Sequence, residues 1–116
     1  MKAAEKSCAR LIQQIVCLRD RVCQRCGATP ICAHHAWPRR NHATSFESDA
    51  LIGLCLECHQ QAHLNPREFR EFVRSKIGEE CYEYLESLSN QVVRLREKDY
   101  IEIAERLRKC SPRAWG

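Results

Sequence analysis

The chain has 116 residues, 44% hydrophobic and 29% charged, with nine cysteines and a net charge of +4. This describes a single domain with a modest core. No apolar run reaches the roughly 20 residues of a membrane span, and the opening MKAAEKSCARLIQQIVCLRD lacks the apolar segment and cleavage site of a secretory signal. The expectation is a cytoplasmic protein with no membrane partner, and in a reducing compartment paired C-x-x-C motifs read as metal ligands rather than disulfides.

In residues 3–19, Cys8, Leu11, Ile12, Ile15 and Val16 recur at helical spacing with polar residues opposite, which predicts an N-terminal helix. RDRVCQRCGATP breaks that pattern with Gly27 and Pro30 and reads as a knuckle turn. ICAHHAW is short and has the composition of a strand, PRRNHATSFESD is a polar loop, and ALIGL is a second short apolar run. A helix is expected from about Leu56, carrying His59 and His63 one turn apart on one face. Asn65 and Pro66 fit the start of the next helix, with Phe69, Phe72, Val73 and Ile77 as its buried stripe and Gly78 as its end. Residues 79–89 are again helical, NQVVRL is a connector, and a last helix begins near Asp99 with Tyr100, Ile103, Ala104 and Leu107 inward. The expected fold class is mainly α with a small β-hairpin. Its parts are a helix at 3–19, a core at 20–65 and a helical extension at 66–110.

Charge is unevenly placed. Residues 1–45 carry eight Lys/Arg against two acids, and residues 46–116 carry eleven against thirteen. A basic half suits a polyanion such as nucleic acid, and equally suits a plain solvated basic face.

Two metal patterns overlap in LCLECHQQAH, residues 54–63. Cys55 and Cys58 pair with Cys23 and Cys26 of CQRCG as two C-x-x-C motifs, a four-thiolate set for one structural Zn²⁺ with no position open to water. His59 and His63 can share a second cation through imidazoles on one helix face. His34 and His35 are neighbours in an extended segment and so point to opposite sides. One of them can join that cation while the other faces a substrate water. Three imidazoles leave coordination positions open, which is a catalytic rather than a structural arrangement. Cys8, Cys17, Cys32, Cys81 and Cys110 read as small buried apolar residues, and Cys32 stands out as two residues from His34.

A C-x-x-C-G knuckle, a His-His at a strand end, a loop and then L-C-x-x-C-H-x-x-x-H resembles the HNH endonucleases. Over residues 19–108 the chain is similar to the small phage and prophage type, the NinG/Rap-like recombination nucleases. The resemblance implies a ββα-metal core with a zinc knuckle, flanked here by an N-terminal helix and C-terminal helices. It implies His35 as the general base and His34, His59 and His63 as ligands of a catalytic divalent ion such as Mg²⁺, Mn²⁺ or Zn²⁺. Cys23, Cys26, Cys55 and Cys58 would hold the structural zinc. Arg39 resembles a phosphate-contacting arginine four residues past the base, and Arg40, Arg25, Arg21 and Arg19 join it as candidate DNA contacts. Ala50 stands where the family has its middle Asn, and Ser45 where it has a loop arginine. The implied activity is metal-dependent hydrolysis of DNA phosphodiester bonds inside a bacterial cell, in recombination or DNA processing. A homodimer would favour paired cuts. The alternative is a catalytically weakened, zinc-stabilised DNA-binding module, and a third reading makes the C-terminal helices a docking surface for protein partners.

Overall fold

A computed structural model describes residues 3–37 and 42–109. The order of elements is α1 (Ala3–Asp20), β1 (Cys32–His35), β2 (Leu51–Leu54), α2 (Leu56–Leu64), α3 (Pro66–Ile77), α4 (Glu79–Ser89) and α5 (Glu97–Lys109), with a 3₁₀ turn at Ser48–Ala50 leading into β2. The described residues are therefore mainly helical around one antiparallel hairpin. None of these helices is long and apolar enough to cross a membrane.

The apolar stripe of α1 is the spine of the core. Cys8, Ile12, Ile15 and Val16 are buried, and α5 lays Tyr100, Ala104 and Leu107 into the same core. Cys8 Sγ donates to the Tyr100 carbonyl at 3.1 Å, tying the two ends of the chain together. The apolar stripe of α5 is thus part of the core. Helix α5 starts two residues earlier than Asp99. Asp99 accepts from the Arg96 N–H at 2.8 Å, reaching back from the third helical position as in a capping box.

Helix α1 runs one residue past the expected end and stops at Arg21, whose φ of 64° is left-handed. The Arg21 N–H closes on the Cys17 carbonyl at 2.9 Å, the backbone form of a left-handed helix cap. Arg19 and Asp20, just before it, are both buried. The Arg19 Nε–H donates to Asp20 Oδ1 at 2.7 Å, and its other N–H groups reach the carbonyls of Ser48 at 2.8 Å and Leu51 at 2.7 Å. Asp20 Oδ2 in turn accepts from the Gly53 N–H at 2.7 Å. Arg19 therefore holds the hairpin onto α1 and is not a phosphate contact, which corrects the sequence reading. Charge pattern alone does not separate a solvated arginine from one paired to its own neighbour.

The hairpin pairs Cys32 with Leu54, Ala33 with Gly53, His34 with Ile52 and His35 with Leu51. Ala36 N–H to the Ala50 carbonyl, at 2.8 Å, extends the ladder by one pair. In such a ladder alternate pairs turn their amides outward, and Ala33 and Gly53 form one of these. Two strands alone are marginal in water, so both outward edges need partners. Gln13 of α1 supplies them for Ala33, accepting its N–H at 2.9 Å and donating to its carbonyl at 3.1 Å. Asp20 and the Gln24 N–H, at 2.7 and 3.0 Å, supply them for Gly53. Approach at Gly53 is close: a Cβ would lie 2.8 Å from Ile31 Cδ1 and 3.1 Å from Asp20 Cβ, so a larger residue would displace Ile31 and crowd Asp20.

Replacing Arg19 by Ala is expected to destabilise the fold by about 3–5 kcal/mol, because it strands the Asp20 carboxylate in the interior. Urea denaturation of Arg19→Ala against wild type measures this. The double variant Arg19→Met, Asp20→Asn should recover part of the loss, because no unpaired charge remains.

Asn65 and Pro66 start α3 as expected, with Asn65 at the N-cap position and Pro66 the first helical residue. Asn65 is the single residue between α2 and α3, with φ −130° and ψ 68°, and its side chain makes no capping bond. Its backbone closes both helices instead, its N–H reaching Gln61 at 2.9 Å and its carbonyl accepting from Phe69 at 3.0 Å. This tight corner brings α3 back over the hairpin side of α2.

Candidate functional site

The first cluster forms where the chain leaves α1 and where it enters α2. Gly27, at φ 81°, donates to the Cys23 carbonyl at 2.8 Å, and the Cys23 N–H returns to Ala28 at 2.8 Å, closing the first knuckle. The second knuckle is the start of α2, with Cys55 as its N-cap and its sulfur 3.5 Å from the Cys58 N–H. One ligand atom from each of Cys23, Cys26, Cys55 and Cys58 lies within 4.8 Å of the others. The Cys26 and Cys55 sulfurs are 3.6 Å apart. A tetrahedral ion with metal–sulfur bonds of about 2.3 Å would set its sulfurs about 3.8 Å apart, so the four thiols fit one metal ion.

The electrostatics agree with that fit. Burial pushes the Cys23 thiol up, but hydrogen bonds from the backbone N–H groups of Cys55, Cys26 and Arg25 outweigh it and bring the thiol down to about 6. Burial and the three neighbouring cysteines push Cys58 up. The backbone N–H groups thus favour a thiolate at Cys23, the form that ligates a metal.

The second cluster joins β1 to α2. His34 is buried, His59 half-buried and His63 exposed, and one ligand nitrogen from each lies within 4.8 Å of the others. His34 Nδ1 is 3.3 Å from His59 Nδ1, and His63 Nε2 is 3.0 Å from His59 Nε2. Metal–nitrogen bonds of about 2.0–2.1 Å in a tetrahedral shell would separate nitrogens by about 3.3 Å. Burial, followed by the neighbouring imidazoles, lowers His34 to about 4, and burial and His63 lower His59. Both rings are therefore neutral at pH 7, the form that binds metal. Phe69 of α3 packs edge-on against His34, with ring centroids 4.7 Å apart. Residues expected only as an extension thus wall the histidine cluster.

His35 faces the other side of β1. Its Nε2 lies 3.1 Å from the Ser45 carbonyl. A carbonyl only accepts, so Nε2 carries a proton, which in the neutral form of the ring leaves Nδ1 as the acceptor. Ser45 and Ala50, at the two positions where the HNH pattern has Arg and Asn, are both buried. His35 is braced by the main chain of this loop.

The candidate arginines divide. Arg21 is exposed. Arg25 pairs with Glu68 and lies over the Phe72 ring at 5.2 Å, so its charge is engaged by α3. Arg39 and Arg40 lie outside the described residues, as does Cys110. Cys17, Cys32 and Cys81 are half-buried, while Cys8 is fully buried.

Sequence reasoning missed Gln13, the Arg19–Asp20 pair and Phe69. In the sequence Gln13 stands among the polar positions of its helix and Arg19–Asp20 is an adjacent charge pair at the helix end, and neither pattern names the partner it meets. Comparison with protein-family models, curated proteins and solved structures found no match.

Proposed function

We propose that the chain is a metal-dependent endonuclease of the HNH type that hydrolyses DNA phosphodiester bonds. The observation that carries this reading is the division of labour at His34 and His35. One side chain joins two further imidazoles at metal-ligand separations, and the other is held in the tautomer of a proton acceptor. In this reading β1, β2 and α2 are the ββα-metal unit, and Cys23, Cys26, Cys55 and Cys58 hold a structural Zn²⁺.

A divalent ion on His34, His59 and His63 would neutralise negative charge developing at the scissile phosphate. His35 Nδ1 takes the proton from the attacking water, and the Ser45 carbonyl keeps the ring in the orientation and tautomer that this requires. Arg21, together with Arg39 and Arg40, holds flanking phosphates, giving affinity without base reading. Binding then weakens steeply with salt as counterions are released.

The test is incubation of purified protein with supercoiled plasmid and with a four-way junction, each with Mg²⁺, Mn²⁺ or EDTA. Cleavage with a divalent ion and none with EDTA is the expected result. Ala50 favours a second reading, a zinc-stabilised module that binds DNA without cutting. Salt-sensitive binding with no cleavage under any ion would decide for it, and no binding at low salt would end both.

A further inference from the structure

Cys32 has a place that the sequence reading did not give it. It stands on the same face of β1 as His34, two residues away, and this face looks toward α2. Its sulfur lies 3.5 Å from His59 Nδ1, the same nitrogen that His34 Nδ1 approaches to 3.3 Å. For one tetrahedral ion, bonds of about 2.3 Å to sulfur and about 2.0–2.1 Å to nitrogen require a sulfur–nitrogen separation of about 3.5 Å and a nitrogen–nitrogen separation of about 3.3 Å. Both separations at His59 Nδ1 match, so the Cys32 sulfur and the His34 nitrogen each lie at a co-ligand distance from the same His59 nitrogen.

We propose that Cys32 is a ligand of the histidine centre, binding its ion as a thiolate beside His34 and His59. This rests on the reading of the histidines as a metal centre. On this proposal the ion lies on the Nδ1 edge of His59, beside Cys32 and His34, and His63, whose Nε2 lies 3.0 Å from the other His59 nitrogen, reaches it only by turning its exposed side chain. Cys32 gives up its proton to solvent when it binds. A thiolate in the shell changes which ion the site selects. Soft sulfur favours Zn²⁺ or Co²⁺, whereas Mg²⁺ demands oxygen ligands and gains nothing from it. The centre is therefore selective for a borderline-soft transition metal.

The experiment uses the full chain with one Zn²⁺ in the four-cysteine cluster, titrated with Co²⁺ while zinc content is followed to confirm that the first ion stays. Binding of Co²⁺ should bring a thiolate-to-cobalt charge-transfer band in the near ultraviolet. Cys32→Ser and Cys32→Ala should lose that band and bind Co²⁺ at least about tenfold more weakly. His63→Ala should keep it. If Co²⁺ binds without the band, or the band survives in both Cys32 variants, the proposal is overturned while the metal centre stands. If no second ion binds at all, both readings fail. Should neither Cys32 variant fold, X-ray absorption at the cobalt edge of wild type decides. Sulfur at about 2.3 Å supports the ligand, and a shell of nitrogen and oxygen alone overturns it.

Discussion

Removing the ion from the four-cysteine cluster is expected to unfold the protein. The cluster joins the end of α1 to the first turn of α2, and the intervening segment contains the hairpin. Cys23 and Cys55 are buried, and without an ion no bond would hold the two knuckles together. Binding of structural Zn²⁺ is worth about 10–16 kcal/mol in small zinc domains, against a typical total stability of about 5–15 kcal/mol. The sharpest variant is Cys55→Ser. Cys55 is the N-cap of α2, and serine is among the preferred N-cap residues. The substitution keeps the cap and removes only the soft ligand. Loss of helical circular dichroism in Cys55→Ser, and in wild type under a strong chelator with recovery on adding Zn²⁺, is the expected outcome. Full helicity in a washed sample that metal analysis shows to be free of zinc would rule the idea out.

The second large effect concerns His35. His35→Ala is expected to lower cleavage by about 10²–10⁴-fold, the usual contribution of a positioned general base, with fold, zinc content and DNA affinity nearly unchanged. His35 is only half-buried and lies opposite the histidine cluster, so its removal opens no core cavity and withdraws no ligand. His59→Ala should fail differently, by losing the second ion, and excess Mn²⁺ should restore part of its rate. Nicking of supercoiled plasmid by wild type and the two variants, with EDTA as blank, separates the cases. Equal rates for wild type and His35→Ala would mean that another group accepts the proton.

The two metal patterns could be read from the sequence because metal chemistry constrains spacing locally. C-x-x-C closes one knuckle, and residues four apart share a helix face whatever surrounds them. The elements were legible for the same reason. The stripe Cys8, Ile12, Ile15, Val16 has one period, ICAHH and ALIGL are too short to be helices, and Gly27 and Gly78 mark ends. What brings these pieces together is non-local and depends on the tertiary structure. Arg19 reads as a basic surface residue until Asp20, Ser48 and Leu51 converge on it. Gln13 reads as the polar side of a helix until it completes the edge of β1, and Phe69 as an extension until the corner at Asn65 turns α3 onto His34. Cys32 is the clearest case. As one of nine cysteines it reads as an apolar residue that stands out only for lying two residues from His34, and the register of the hairpin against α2 sets its sulfur beside His59. Local covalent spacing determined which residues bear chemistry, and long-range packing decided which of them meet.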